Sequence, residues 1–239
     1  MTGVRPARPH TGVTEDGRRI REVLTYSRRG SRLSDAQAEV WARRAGEWWI
    51  PDEAVDAADF TWSAWFGREA PLVVEIGSGI GEATAALAAD RPECNVLAFE
   101  VWHPGVAETF HALERRRVDN VRLVSVDAVW SFAHLMAPDS LAELWTFFPD
   151  PWPKKRHEGR RLVNAQFASV AASRLAPGSL WRLATDWPPY AEQMADVLGA
   201  EPLLEGGPTQ RWEDRPRTRF ERRALRADRP ITDLTFRRV

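Results

Sequence analysis

From Pro71 onward the chain alternates short apolar runs with helix-like segments, and acidic residues stand where the apolar runs stop. Leu72-Val73-Val74-Glu75-Ile76 reads as a buried strand, followed by the glycine turn Gly77-Ser78-Gly79-Ile80-Gly81 and an alanine-rich helix over 82–89. A second strand over 96–99 ends in Glu100. A third over 121–126 ends in Asp127, a fourth over 144–148 runs to Asp150, and a fifth over 180–184 ends near Asp186. Helical patterns fall between them, at 103–113 with Pro104 in the first turn, at 160–175 and at 188–198. Pro177-Gly178 reads as the turn into the fifth strand. Alternation of this kind implies a mostly parallel sheet with helices on both faces. The alternating tail over 232–237 reads as an antiparallel edge strand. Ligands of open parallel sheets bind at the carboxyl ends of the strands, where the four closing acids gather and Glu75 lies nearby.

The 239 residues, 44% apolar, suffice for one core with an appendage. A formal net charge of -1 conceals an uneven distribution. Residues 1–33 hold eight arginines against three acids, and residues 211–239 hold ten against five. Basic ends and a basic loop around a neutral body suit a polyanionic partner. Cys94, the single cysteine, excludes internal disulfides and a cysteine metal cluster, and no metal is expected. No apolar run is long enough to span a membrane, and the arginine-rich N-terminus lacks the apolar stretch of a secretory signal; the expectation is a soluble, cytoplasmic protein. Residues 1–33 read as a flexible basic extension, and residues 34–239 as the folded domain. Ser34-Asp35-Ala36-Gln37 has the form of a capping box, opening a helix to about Arg44.

The densest chemistry lies in Pro149-Asp150-Pro151-Trp152-Pro153-Lys154-Lys155. The chain contains 31 arginines and only two lysines, which are this adjacent pair. In so arginine-biased a composition, Lys154 reads as a position needing a compact point-charge donor rather than a planar fork. Three prolines around one Asp and one Trp rigidify the end of the fourth strand. Trp152 has two open readings, packing inward or stacking on a base. Arg156, Arg160 and Arg161 follow near a predicted helix start, where cations oppose the helix dipole unless a phosphate offsets them.

The glycine turn discriminates among nucleotide-like ligands. A dinucleotide-binding turn places its third glycine at 82, where this chain has Glu82, and a pyrophosphate there would meet negative charge. A cationic ligand fits better, and S-adenosylmethionine has a positive amino group and sulfonium. Gly77 and Gly79 form the turn against it. Glu100 is placed for the ribose hydroxyls and Asp127 for the adenine amino group.

Over roughly residues 28–239 the sequence resembles the tRNA (guanine-N7)-methyltransferases that act on the variable loop. The motifs are Glu75-Ile76-Gly77-Ser78-Gly79-Ile80-Gly81-Glu82, Phe147 through His157, Arg160-Arg161-Leu162-Val163, Ala184-Thr185-Asp186-Trp187 with Tyr190, and Arg215 through Arg222. The resemblance implies a Rossmann-like class I methyltransferase on a seven-stranded, mostly parallel sheet with an antiparallel edge strand. It implies that Glu75, Glu100 and Asp127 hold the cofactor and that Asp150 is catalytic and near it. It further implies that Lys154, Asp186 and Thr218, Arg219, Phe220 and Glu221 bind the guanosine, and that Arg156, His157, Arg160 and Arg161 touch RNA. The partner would be tRNA, with the enzyme a monomer or homodimer. Two departures stand out. The family often reads Glu-Val-His after the second strand, whereas here Trp102 precedes His103, and His103 receives no role. After Glu221 the family often has Arg-Gly and a later Gly-His; here the chain runs Arg222-Arg223-Ala224-Leu225, with Ala227-Asp228-Arg229 beyond.

Guanine N7 has an in-plane lone pair, so methylation there needs no general base. It needs in-line placement and tolerance of the charge that moves onto the ring. Asp150 would supply a carboxylate for that charge. Lys154 would donate to O6, and Asp186 or Glu221 would accept from N1–H and N2–H. Two rival readings are weighed. An amino methyltransferase would be expected to carry Asn or Asp-Pro-Pro-aromatic at the fourth strand. A catalytically inert RNA-binding subunit would not need Glu75, Glu100, Asp127 and Asp150 together.

Overall fold

The computed structural model describes residues 25–26 and 30–239. Most of the expected N-terminal extension lies outside the described residues. Ser34 forms the capping box: its hydroxyl accepts from the Gln37 N–H, and the Gln37 side chain accepts from the Ser34 N–H. The helix it opens, α1 (Asp35–Trp48), is a turn longer than predicted. Trp48 extends it by inserting against Phe110, with its indole N–H donating to Val118 O at 3.1 Å. Two short helices follow, α2 (Asp52–Val55) and α3 (Trp62–Phe66).

The sheet then builds as β1 (Leu72–Ile76), α4 (Glu82–Ala89), β2 (Asn95–Phe99), α5 (His103–Arg116), β3 (Val121–Val124), α6 (Ala128–His134) and β4 (Leu141–Phe147). After a 3-10 helix (Lys155–Arg160) come α7 (Ala165–Arg174), β5 (Leu175–Thr185), α8 (Pro188–Gly199), β6 (Leu204–Thr209), α9 (Arg219–Arg226) and β7 (Thr232–Arg238). The strand order is β3-β2-β1-β4-β5-β7-β6. β1 to β5 are parallel, whereas β7 runs antiparallel to both β5 and β6. The tail strand therefore lies one in from the margin, and the outermost strand is β6. Its sequence, Leu-Glu-Gly-Gly-Pro-Thr, offers little β propensity, and only Leu204 is buried, so no alternation marks it. β5 also begins earlier than predicted. Pro177-Gly178 does not end a helix but sits in an exposed irregularity within the strand, with Gly178 at φ +84°.

Both faces of the parallel strands are covered, which explains their near-continuous apolar runs. Leu144 and Trp145, neighbours on β4, point to opposite faces: Leu144 belongs to the core layer of Trp181 and Phe167, Trp145 to that of Leu87 and Ala184. Trp145 and Trp181 are both fully buried, and truncating either to Ala would cost about 3–5 kcal/mol. Strand order reverses between β1 and β4. Ligands in such sheets sit in the crevice at that reversal, here between the glycine turn after β1 and the Pro149–Pro151 segment after β4.

Candidate active site

A cleft of about 860 Å³, counted to its open mouth, occupies that crevice. Gly77 and Gly79 line it from β1, Glu100 and Trp102 from β2, and Asp150 with Phe148 from β4. Phe220 closes one side, and behind it a smaller recess is lined by Glu75, Ser78, Glu82 and Thr218.

The glycine turn is close to α5, and the contact leaves no space for side chains. Gly81 takes φ +70°, and a Cβ there would stand 2.4 Å from Thr109 Cγ2. A Cβ on Gly105, in the first turn of α5, would stand 2.2 Å from Gly79 O. Sequence reading found the turn but missed Gly105 and Thr109; a glycine near the start of an apolar-faced helix was the available signal. The turn is tied to β2 by Glu100, whose carboxylate accepts from Gly79 N–H at 2.7 Å and from Trp102 N–H at 2.8 Å. These two bonds fix the orientation of the carboxylate at the cleft wall.

Glu75 is 2% exposed, with Thr84 Oγ1 donating to it at 2.5 Å. Burial pushes its pKa up to about 7, the Thr84 bond opposes the rise, and the charge of Glu100 adds to it. Ser78 Oγ, in the same recess, is buried without a hydrogen-bond partner among the described residues. An ionisable buried acid beside an unsatisfied hydroxyl suits a small ligand bearing both a cation and hydrogen-bonding groups. Asp127 is the N-cap of α6 and accepts from Trp130 N–H at 2.9 Å; burial raises its pKa. Its neighbours Val126 and Ala128 line the cleft.

The segment after β4 holds strained backbone. Phe148 and Trp152 both have positive φ, at +53° and +44°, bracketing Pro149-Asp150-Pro151. Such residues cost about 1–3 kcal/mol each and persist where their surroundings fix them. Trp152 is fixed three ways: its indole N–H donates to Thr25 O at 3.1 Å, the Arg160 guanidinium lies 3.6 Å from its ring centroid, and His157 packs edge-on. The open question about Trp152 is thereby answered in favour of packing. Arg160 stacks on that indole, and Arg161 is 3% exposed, donating to Pro151 O and Gln193 Oε1 with its guanidinium over Tyr190. Arg161 thus differs from the expectation of an RNA-touching residue: it is a strut of the loop, since a buried guanidinium cannot reach a phosphate. Lys154, Lys155 and Arg156 are exposed. His157 is half-buried, and desolvation followed by Arg156, Arg160 and Lys154 lowers its pKa.

The residues expected to bind guanosine divide. Thr218 caps α9, and Phe220 stacks with Phe148 at 6.5 Å between centroids. Arg219 donates its backbone N–H to Glu82 and lays its guanidinium over Phe220 and Trp102. Glu221 is 2% exposed and ion-paired with Arg211 at 2.8 Å and Arg215 at 2.7 Å. The wholly buried Arg215 also pairs with Asp233 at 3.0 Å. Glu221 is therefore corrected from a base reader to a support of the Thr218–Phe220 wall, both its oxygens being engaged. Asp186 is partly exposed and paired with Arg229 at 2.7 Å. The unusual loop beyond α9 has an explanation in Asp228, which takes φ +50°, a left-handed backbone that glycine adopts freely. Sequence reading quoted Arg215 and Glu82 but not the pairings they make here. Among the described residues no group of side chains is arranged to hold a metal ion.

A family model described as "Putative methyltransferase" matches residues 69–234. A tRNA (guanine-N(7)-)-methyltransferase of Nocardioides sp. is 64% identical over 236 residues, covering 99% of this chain and 95% of that protein. The chain belongs to the tRNA (guanine-N7)-methyltransferase family. Proteins of the same description from Cutibacterium acnes and Streptomyces coelicolor are 46% and 43% identical, covering 95% and 92% of this chain and 88% and 82% of theirs. Among solved structures, the 16S rRNA methyltransferase KamB superposes with a TM-score of 0.54 at 16% identity, covering 76% of this chain and 96% of its own. The antibiotic-resistance methyltransferase Kmr gives 0.52 at 15%, covering 80% and 94%. At those identities the likeness is one of fold, and the fold is that of the methyltransferase sheet.

Proposed function

We propose that the protein transfers a methyl group from S-adenosylmethionine to N7 of a guanosine in the variable loop of tRNA. The observation that carries the reading is the convergence of Glu100, the glycine turn and Asp150 on one cleft at the strand-order reversal. Family membership sets the class of reaction. The donor supplies an electrophilic methyl on a sulfonium. The protein's residues hold it: Glu75 faces the amino group, Glu100 the ribose hydroxyls, and the Asp127 segment the adenine.

Asp150 is the catalytic residue in this reading. It lines the cleft on an over-constrained turn, and its carboxylate offsets the charge that develops on the imidazole ring. No proton leaves N7, so Asp150 acts through its field and its placement. Lys154, exposed four residues on, reaches O6 and thereby rejects adenine, whose amine would meet a donor. Asp186 is the carboxylate left for N1–H and N2–H, with Arg229 holding one of its oxygens. Phe220 with Phe148 forms the wall against which the base and donor align. We place residues 1–33 as a basic extension ahead of a catalytic domain at 34–239. The cytoplasm is the compartment a tRNA substrate implies, in keeping with described residues that contain no helix long and apolar enough to cross a membrane.

The test is methylation of unmodified tRNA with labelled donor, then mapping by borohydride–aniline cleavage. A single cleavage at a variable-loop guanosine is expected. Label on an exocyclic amine, or at a guanosine outside that loop, would refute the assignment.

A further inference from the structure

We infer that the outer face of α9, which borders the cleft through Phe220, is a second grip on the RNA backbone. The inference rests on the reading above that the substrate is tRNA. Arg219, Arg222, Arg223 and Arg226 are spaced at three, four and seven residues, which places them on one helical face. The opposite face carries Glu221 and Ala224, both buried, while Phe220 turns into the cleft. The helix is thus held by its inner residues and presents an unbroken arginine stripe outward.

The other C-terminal arginines are mostly engaged internally. Arg211 and Arg215 pair with Glu221, and Arg229 pairs with Asp186. On the stripe, Arg219 lies over Phe220 and Trp102 at the cleft mouth, and Arg222 pairs with Glu82 at 2.6 Å. Arg223 and Arg226, further out, are exposed with no side-chain partner among the described residues. Like charges three and four residues apart destabilise a helix by a few tenths of a kcal/mol per pair, and no acid on that face relieves Arg223 and Arg226. Glu221 points inward, Glu82 is taken by Arg222, and Asp228 lies past the helix end. A polyanion offsets the repulsion. At 1.5 Å per residue the stripe extends about 10 Å from the cleft mouth, a course suited to a strand whose base has entered the cleft. The Lys154 loop cannot supply the whole grip, because Arg160 and Arg161 are turned to Trp152 and Tyr190.

The experiment uses the full chain, with tRNA binding measured across a salt series for wild type, R223A/R226A and R223K/R226K. Removing two phosphate contacts should reduce the magnitude of the log–log salt slope by about 1.4–1.8 and raise KM for tRNA. The lysine pair should restore most of both, and affinity for S-adenosylhomocysteine should stay at the wild-type value. A double alanine variant with wild-type slope and tRNA affinity overturns the inference, as does a loss of S-adenosylhomocysteine binding in parallel with tRNA binding. If the wild type itself fails to bind or methylate tRNA, the proposed function fails first.

Discussion

Replacing Glu75 by glutamine should make the protein more stable above neutral pH while depriving it of its donor. The carboxyl is buried on β1 with one hydroxyl donor from Thr84. In the unfolded chain it loses its proton near 4.5, and in the fold only near 7. Between those values the folded state binds the extra proton, so this group's contribution to stability falls as pH rises. Two and a half pH units at about 1.4 kcal/mol each amount to about 3–4 kcal/mol, fully lost above pH 7. The glutamine amide is neutral throughout and can still accept from Thr84. Urea denaturation of both proteins without donor should therefore give nearly equal stabilities at pH 4.5, diverging to about 3–4 kcal/mol in favour of E75Q by pH 8. Asp127, also raised by burial, contributes equally to both proteins and cancels in the difference. A difference that does not change with pH would refute the reasoning. Calorimetry in buffers of different ionisation enthalpy adds a second readout. Below pH 7, pairing Glu75 with a cationic amino group should release a proton from the wild type, and E75Q should show neither that proton nor comparable affinity.

Asp150→Ala should lower kcat by two orders of magnitude or more, about 3 kcal/mol of transition-state stabilisation, with S-adenosylhomocysteine still bound in equilibrium titration. Arg229→Ala frees Asp186 from its 2.7 Å partner; loss of about 1–2 kcal/mol of orientation should lower kcat/KM for tRNA roughly 5–30-fold, which steady-state kinetics would read, and R229K should recover part of it. Arg161→Ala leaves Pro151 O and Gln193 without their buried donor and should cost about 2–3 kcal/mol by denaturation, with a salt slope for tRNA unchanged in the fraction that folds. Gly105→Ala drives a methyl towards Gly79 O and should cost about 1–3 kcal/mol, with weaker donor binding by titration.

The parallel core was legible in the sequence because strands buried on both faces announce themselves as apolar runs, as at 72–76 and 96–99. β6 was not, since its Gly206-Gly207-Pro208 segment is shaped by pairing with β7 and carries no pattern of its own. In the site, the glycine turn and the acids at 100, 127, 150 and 186 could be read from position along the chain. What could not be read was the engagement of each group. Arg161 and Arg160 are adjacent and chemically identical, yet one donates into the loop and the other stacks on Trp152. Glu221 reads as an acceptor in a binding motif, and only tertiary structure brings Arg211 and Arg215 against it. A helix-spaced stripe such as Arg219, Arg222, Arg223 and Arg226 is visible in sequence once the helix is known, but 211–231 carries too few apolar residues to predict one.

The acids around the cleft form a graded series. Glu221 has both oxygens on arginines and can only support. Glu100 holds two backbone N–H groups and Asp127 one, which fixes each carboxylate. Such acids are pre-oriented for neutral hydrogen-bonding groups, hydroxyls and an amine. Glu75 has a single hydroxyl donor and no ion pair among the described residues, so its ionised form is costly until a cation arrives. A pyrophosphate would meet Glu100 and the buried Glu75 around one turn, beside a Glu82 already held by Arg222. A ligand with a positive end converts the cost at Glu75 into attraction. The same arrangement that disfavours a dinucleotide therefore favours a donor with a cationic amino group at Glu75.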